Sequence, residues 1–298
     1  MKKIANFAMA ASIAVAAFPA MAAENSSSSR TRSNCEKPDK AGPLWVVGLT
    51  SDMQLVCFKE NRPGNARSIG TVSGLMTGDT LVGIDYRVQD SKLYGVSRTG
   101  GIYMLDVRNA AATKVSQLSV GLEGASFGVD FNPAADRLRS VRDTGQNLRH
   151  TIMAGGMTLV DDPLDYPPAT PLNAAGPSAG GITGSAYTNN DLSSLTATTL
   201  YSLDTSLDQI ALQSPPNDGT LAATGKLDLD SGPTVGFDIY STLRGGVSVG
   251  VEGLASLQTS AGASALYSIT LPTGKASMRG SFPAQYRVIG IAIPLNQR

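Results

Sequence analysis

From Leu44 onward apolar residues alternate with polar ones in short runs, each broken by Gly, Asn, Asp or Pro. Period-two alternation bounded by turn formers predicts strands, and no convincing helix pattern interrupts them. One tetrapeptide frame recurs along the chain: Gly83-Ile84-Asp85-Tyr86, Gly128-Val129-Asp130-Phe131, Gly184-Ser185-Ala186-Tyr187, Gly236-Phe237-Asp238-Ile239 and Gly290-Ile291-Ala292-Ile293. The steps between its glycines are 45, 56, 52 and 54 residues. A period of about 50 residues with only strands inside it is the spacing of propeller blades.

Each frame is followed by the same succession. In the second unit Lys92 to Val96, Ile102 to Val107 and Lys114 to Leu118 read as strands; in the third, Arg137 to Val141, Asn147 to Ile152 and Met157 to Val160. The fourth carries Thr199 to Leu203, Gln209 to Leu212 and Leu221 to Leu227. The fifth reads as Val247 to Val251, a long loop, Ala265 to Leu271 and Lys275 to Gly280. The first unit has only Leu44 to Leu49, Gln54 to Phe58 and Arg67 to Val72, with no opening strand, whereas a solitary frame strand, Val288 to Pro294, ends the chain. One arrangement accounts for both: the C-terminal strand becomes the innermost strand of the first blade and closes the ring, which leaves no inner edge exposed. The expected fold is therefore all-β, a five-bladed β-propeller over 44–298. An open sandwich or barrel with an incidental repeat is the competing architecture. Inner strands converging on an axis also explain the recurrent Gly, since a residue without a side chain permits close backbone approach.

The N-terminus reads differently. Lys2 and Lys3 precede an apolar, Ala-rich stretch to Phe18, and Ala20-Met21-Ala22 supplies small residues where a signal peptidase reads, so 1–23 is expected to be a signal peptide. Export to the periplasm or exterior follows, with no transmembrane segment left after cleavage. Residues 24–43 are polar and Ser-rich and read as a disordered lead-in. Cys35 lies in that lead-in and Cys57 in the first hairpin; in an oxidising compartment they make a plausible disulfide, the alternative being two unpaired thiols.

Composition mainly excludes. Against 24 Lys+Arg stand 24 Asp+Glu, so no basic excess is available for phosphates and nucleic acid is not an expected partner. A single His rules out multi-His metal sites. Charged residues at 16% suit blades that are buried on both faces. No Walker loop, nucleophile elbow, zinc spacing or EF-hand loop is present.

Several segments occur together in order: Val82-Gly83-Ile84-Asp85, Phe127-Gly128-Val129-Asp130-Phe131-Asn132-Pro133, Asp143-Thr144-Gly145-Gln146-Asn147-Leu148-Arg149, Ala186-Tyr187-Thr188-Asn189-Asn190 and Pro215-Pro216-Asn217-Asp218-Gly219-Thr220. Together they resemble the exported bacterial family known as domain of unknown function 4394, over Leu44 to Pro294. Asn109-Ala110-Ala111 departs from it, standing where the family usually has a Thr-Gly turn. The resemblance implies an exported, propeller-like domain and no transferable catalytic residues.

Three sets of residues carry candidate chemistry. Asp85, Asp130 and Asp238 hold equivalent frame positions, with Ala186 and Ala292 at the other two, so closure of the ring would bring all five to one height near the axis. Three carboxylates there suit Ca²⁺ or an acid or base of raised pKa, making them the candidate metal or catalytic groups; bonding to backbone amides of a neighbouring blade is the alternative. Asp52, Arg98, Asp143, Gln146, Asp204 and Asp208 come from turns on one face, the expected ligand-binding face. Arg137, Arg139, Arg142 and Arg149 cluster in the third unit, and strand alternation puts Arg137 and Arg139 on one face and Arg142 on the other. They suit an anionic sugar or carboxylate, or else make local ion pairs. His150 falls on an off-axis strand, away from any triad.

The expected function is a binding module, monomeric, for a glycan, a peptide or other small molecule, or a partner protein, with no cofactor required. The alternative is a metal-assisted hydrolase or lyase acting on a saccharide or ester through the axial Asp residues.

Overall fold

A computed structural model describes Met1 and residues 35–38, 42–167, 179–258 and 262–298. The signal peptide expected at 1–23 and most of the lead-in lie outside the described residues. The chain forms β1 (Trp45–Thr50), β2 (Gln54–Lys59), β3 (Arg62–Thr71), β4 (Leu81–Arg87), β5 (Lys92–Ser97), β6 (Gly101–Leu105), β7 (Ala112–Gln117), β8 (Phe127–Asn132), β9 (Arg137–Arg142) and β10 (Asn147–His150). It continues with β11 (Thr158–Val160), β12 (Ile182–Tyr187), β13 (Leu200–Asp204), β14 (Gln209–Gln213), β15 (Leu221–Lys226), β16 (Gly236–Arg244), β17 (Val247–Gln258), β18 (Ser264–Ile269), β19 (Ala276–Ser281) and β20 (Val288–Ala292).

These strands make five four-stranded antiparallel sheets, four of them consecutive in sequence and the fifth ordered β20-β1-β2-β3. The closing strand pairs Val47 with Ala292, Gly48 with Ile291 and Leu49 with Gly290. Inner strands β20, β4, β8, β12 and β16 touch in that cyclic order and complete the ring. The fold is thus an all-β propeller of five blades, in which the C-terminal strand completes blade 1.

Both faces of each blade are buried because each packs on a neighbour. In β1, Trp45, Val47 and Leu49 face blade 2 with Leu81, Ile84 and Leu93, while Val46 faces blade 5 with Leu254 and Leu266. Among the described residues the apolar core falls into five clusters, one at each blade junction. The cluster between blades 3 and 4 is the smallest and is supplemented by polar groups around the buried Arg139.

Two features were not legible in the pattern. The second strand of blade 5 is not the segment up to Val251 followed by a loop: β17 runs on to Gln258, and Gly253 to Gln258 pairs β18. Gly253, Ala255 and Ser256 are small residues, and a segment buried on both faces has no need of apolar–polar alternation. The stretch read as the strand, Val247 to Val251, instead extends a hairpin with β16 around Gly245-Gly246, both at positive φ. The second feature is a clasp at the end of the chain. Gln297 is buried; its carboxamide accepts from Trp45 N at 2.7 Å and donates to Trp45 O at 2.9 Å, and its backbone N donates to Tyr240 Oη at 2.7 Å.

Cys35 and Cys57 are joined in a disulfide, 22 residues apart, and both are buried. The bond ties the lead-in to β2 and restricts the unfolded chain. Replacing both cysteines by serine is expected to cost about 2–3 kcal/mol, read by urea unfolding with and without reductant. Equal midpoints for the two proteins would show that the tie contributes nothing.

Candidate functional site

The five frame strands surround an axis that changes character from one end to the other. At the turn face it opens into a cavity of about 460 Å³. Its walls are Ser51 and Met53 from the β1–β2 turn, the residues that lead into β4, β8, β16 and β20, and Arg98 from the β5–β6 turn. Below it the glycines of the frame narrow the axis to about 10 Å³. The closeness is a backbone effect: a methyl group on Gly128 would stand 2.6 Å from Ser185 N, and one on Gly236 would stand 2.6 Å from Ile291 N.

The cavity wall carries Arg98 and Arg287 and no Asp or Glu. Neither guanidinium forms an ion pair among the described residues. Arg98 lies over the Phe127 ring at 5.1 Å, and Arg142 approaches the same ring at 5.5 Å. Arg142 is fully buried, and none of its three guanidinium nitrogens has a hydrogen-bond partner. Burial, reinforced by the Arg98 charge, brings Arg142 down to about 10, so it remains a cation at neutral pH. The nearby charges of Glu123 and Asp143 and the π-face of Phe127 compensate part of that buried charge. Met53, Leu81, Val82, Val235 and Ile289 supply apolar wall, and Ser51, Thr80, Ser126 and Thr234 add hydroxyl groups between them.

Of the turn residues expected to bind ligand, Arg98 lines this cavity. The others are bonded locally. Asp52 accepts from Thr50 Oγ1 and from Gln54 Nε2 at 2.6 Å, and these bonds hold its carboxyl below the ordinary range. Asp143 accepts the amides of Ala125 and Ser126, and Gln146 donates to Gly121 O. Asp204 accepts from Tyr166 Oη at 2.8 Å, and Asp208 accepts from Ser231. Of the long connection after β11, residues 161–167 are described and run between blades 3 and 4, with Asp161 N donating to Asn147 O and Asp165 bridging Thr220; 168–178 lie outside the described residues. The strand pattern alone does not mark Arg287, Phe127 or Met53 as ligand-binding residues. A partial signal existed, since three residues upstream of the frame Gly stand Thr80, Ala125 and Arg287, all in the wall, at three of the five repeats, although Gly181 and Pro233 hold the position at the other two.

At the far end of the axis Asp85, Asp130 and Asp238 converge, each with one carboxylate oxygen within 4.8 Å of the others. Each also accepts a backbone N–H from the next blade: Phe131 N to Asp85 at 2.8 Å, Tyr187 N to Asp130 at 3.2 Å and Ile293 N to Asp238 at 2.6 Å. The donor always stands one position beyond the equivalent of the Asp, so the repeat places one such bond at three of the five junctions. Ala186 and Ala292 hold the position at the other two. Burial pushes all three carboxyls up, Asp238 to about 6. Asp85 rises well above the ordinary range through burial and then the Asp238 charge, and Asp130 through burial and then the Asp85 charge. The recess beside them, also lined by Asn189, is about 10 Å³, room for roughly one water-sized particle and not for a sugar ring.

His150 sits off the axis, its Nε2 2.7 Å from Ser116 Oγ and its Nδ1 2.9 Å from Thr158 Oγ1, and burial lowers its pKa. It fastens blade 2 to blade 3. No helix of the described residues is long and apolar enough to cross a membrane.

The family model described as "Domain of unknown function (DUF4394)" matches residues 54–292. No curated protein matches the chain. Among solved structures it is similar to a structural genomics protein of unknown function from Bacteroides thetaiotaomicron, at 10% identity and TM-score 0.41, over 61% of this chain and 44% of that one. It is similar to an auxiliary nutrient binding protein from Bacteroides ovatus at 11% identity and TM-score 0.35, over 60% and 46%. It is also similar to the glutaminyl cyclase of Myxococcus xanthus at 13% identity and TM-score 0.37, over 71% and 69%. The chain thus spans less than half the length of the first two, and with all three TM-scores below 0.5 no functional conclusion follows from them.

Proposed function

For a chain that belongs to the DUF4394 family, whose description assigns no activity, we propose that the domain is an exported binding module whose turn-face cavity takes a small anion with an apolar body. The observation that carries this reading is the wall itself: two guanidinium groups without carboxylate partners, no acidic residue, four Ser and Thr residues, and apolar side chains around Phe127. A concave site of this size, with low-dielectric walls and charge of one sign, concentrates ligands of the opposite sign. Arg142 behind Phe127, which has no hydrogen-bond partner, adds positive charge beside the cavity that Glu123 and Asp143 offset in part. The N-terminal pattern of Lys2 to Ala22 and the disulfide support export.

The metal-assisted hydrolase is the weaker reading. Its three carboxylates are engaged by amides of adjoining blades, and the recess beside them has no room for a saccharide or ester. We assign them to holding the ring together.

A thermal-shift and calorimetric screen of carboxylate, sulfate and phosphate metabolites, each paired with a neutral analogue, tests the binding reading. Anionic hits are expected, and the double variant Arg98→Gln/Arg287→Gln should lose at least about tenfold in affinity for them, as removal of charged hydrogen bonds predicts. Hits that are neutral, or that bind the double variant equally well, would overturn it.

A further inference from the structure

On the opposite face, between blades 3 and 4, a pocket of about 170 Å³ is lined by Asn132, Arg137, Arg139, Arg149, Tyr187 and Asn217, together with Ala135 and Pro216. The sheet register makes this cluster: Arg139 pairs with Arg149 across β9 and β10, and Arg137 with Asn132 across β9 and β8, so all three arginines share the face turned to blade 4. Arg139 is buried and held on every side. Its Nε donates to Tyr187 Oη at 2.8 Å, its Nη1 to Asn147 Oδ1 and to Asp161 at 3.1 Å, and its Nη2 to Asn217 Oδ1 at 2.8 Å. Arg149 Nε donates to Asp161 at 2.7 Å. Arg137 Nη1 donates to the carbonyls of Ala135 and Asp136.

The charges do not balance. Asp161 is the carboxylate that meets Arg139 and Arg149, while Asp136, beside Arg137, is taken by Arg87 at 2.6 Å. The hydrogen bonds do not balance either. Arg149 Nη1 and Nη2, Arg137 Nε and Nη2, and the Asn217 carboxamide nitrogen have no acceptor among the described residues, and the oxygens of Asn217 and Tyr187 already accept from Arg139. The pocket therefore presents donors with few acceptors left to offer, which is the complement of a fully ionised oxyanion.

We propose that this pocket is a second ligand site, specific for one oxyanion group: a carboxylate, sulfate or phosphate. Arg149 and Arg137 supply the forked contacts such groups favour. Asn217 adds a neutral donor, and Arg139 orients the wall from behind. The site is separate from the turn-face cavity and does not depend on it.

Inorganic phosphate, sulfate and acetate are the probes, titrated into the full chain by calorimetry and thermal melting against sodium chloride at matched ionic strength. At least one is expected to bind saturably and raise the melting temperature beyond the chloride control. Arg149→Gln should weaken that binding at least about tenfold, the equivalent of roughly 1.4 kcal/mol, while Arg98→Gln/Arg287→Gln leaves it unchanged. Arg137→Gln, whose side chain bonds only local carbonyls, repeats the test should Arg149→Gln lose its fold. Absence of saturable binding by any of the three probes, or affinity unaffected by both Arg149→Gln and Arg137→Gln, would overturn the proposal. Loss of binding in the Arg98/Arg287 variant alone would do so too, by assigning the anion to the other face.

Discussion

Replacing Gly236 by alanine should destabilise the protein by about 3 kcal/mol or more, while the same change at Gly290 should cost less than about 1 kcal/mol. Both glycines open a copy of the repeat, so sequence alone treats them as equals. The new methyl at 236 would meet backbone atoms of the closing strand, 2.6 Å from Ile291 N and 2.7 Å from Gly290 C. At 290 the nearest atom is Leu49 Cβ at 3.6 Å, an ordinary contact. Backbone within a hydrogen-bonded sheet cannot yield as a flexible side chain can, so strain at 236 has to open the contact between β16 and β20 that closes the ring. Urea unfolding of the two variants at unchanged m-value measures the difference. Equal losses at the two positions would mean that the ring relaxes freely and that close approach is not what selects glycine there.

The second large effect concerns pH. Asp238 holds its proton up to about pH 6 in the folded state, against an ordinary value of 3.8. Between those values the native state binds more protons than the unfolded chain, so stability falls as pH rises through that window. Below 3.8 both states are protonated and above about 6 both are ionised, so Asp238 adds no slope there. Its contribution across the window is about 3 kcal/mol, and Asp85 and Asp130, also raised well above the ordinary value, act in the same direction. Surface carboxyls such as Asp52, Asp79 and Asp106 are lowered instead, and their stabilisation is lost only as pH drops below the ordinary carboxyl range. Melting curves from pH 4 to 7 should therefore show wild-type stability declining relative to Asp238→Asn. Because the Asp85 charge helps to raise Asp130, Asp85→Asn should also lower the Asp130 midpoint, which carbon-detected NMR of the carboxyl reads directly. Parallel profiles for wild type and Asp238→Asn would contradict the assignment. The profile should also be indifferent to chelators; a melting temperature that rises with Ca²⁺ would place a cation among the carboxylates.

Much of this molecule is legible one residue at a time. The spacing of Gly83, Gly128, Gly184, Gly236 and Gly290 is a local covalent fact, and each interval is filled by a blade. The missing first strand and the surplus last one imply closure before any contact is known. Two cysteines permit a single intramolecular pairing, and it forms. Alternation alone separates Arg139, turned to blade 4, from Arg142, turned to Phe127.

Other features were decided by packing. Asp85 and Asp238 are 153 residues apart, and the repeat put them at one height, but only ring closure set the 4.8 Å convergence and the desolvation that raises their pKa values. The continuation of β17 through Gly253 to Gln258 escaped the pattern because a strand covered on both faces carries no polar alternation. Arg287 and Arg98, 189 residues apart, meet in one cavity because the lead-in to β20 and the β5–β6 turn lie at the same end of the ring. The sequence by itself thus determines the period, the number of blades and the strand that closes them, since these follow from local patterning. Which charges face one another and which are left without a partner is settled only where distant strands converge, because burial and Coulomb energy depend on distances that no local period encodes.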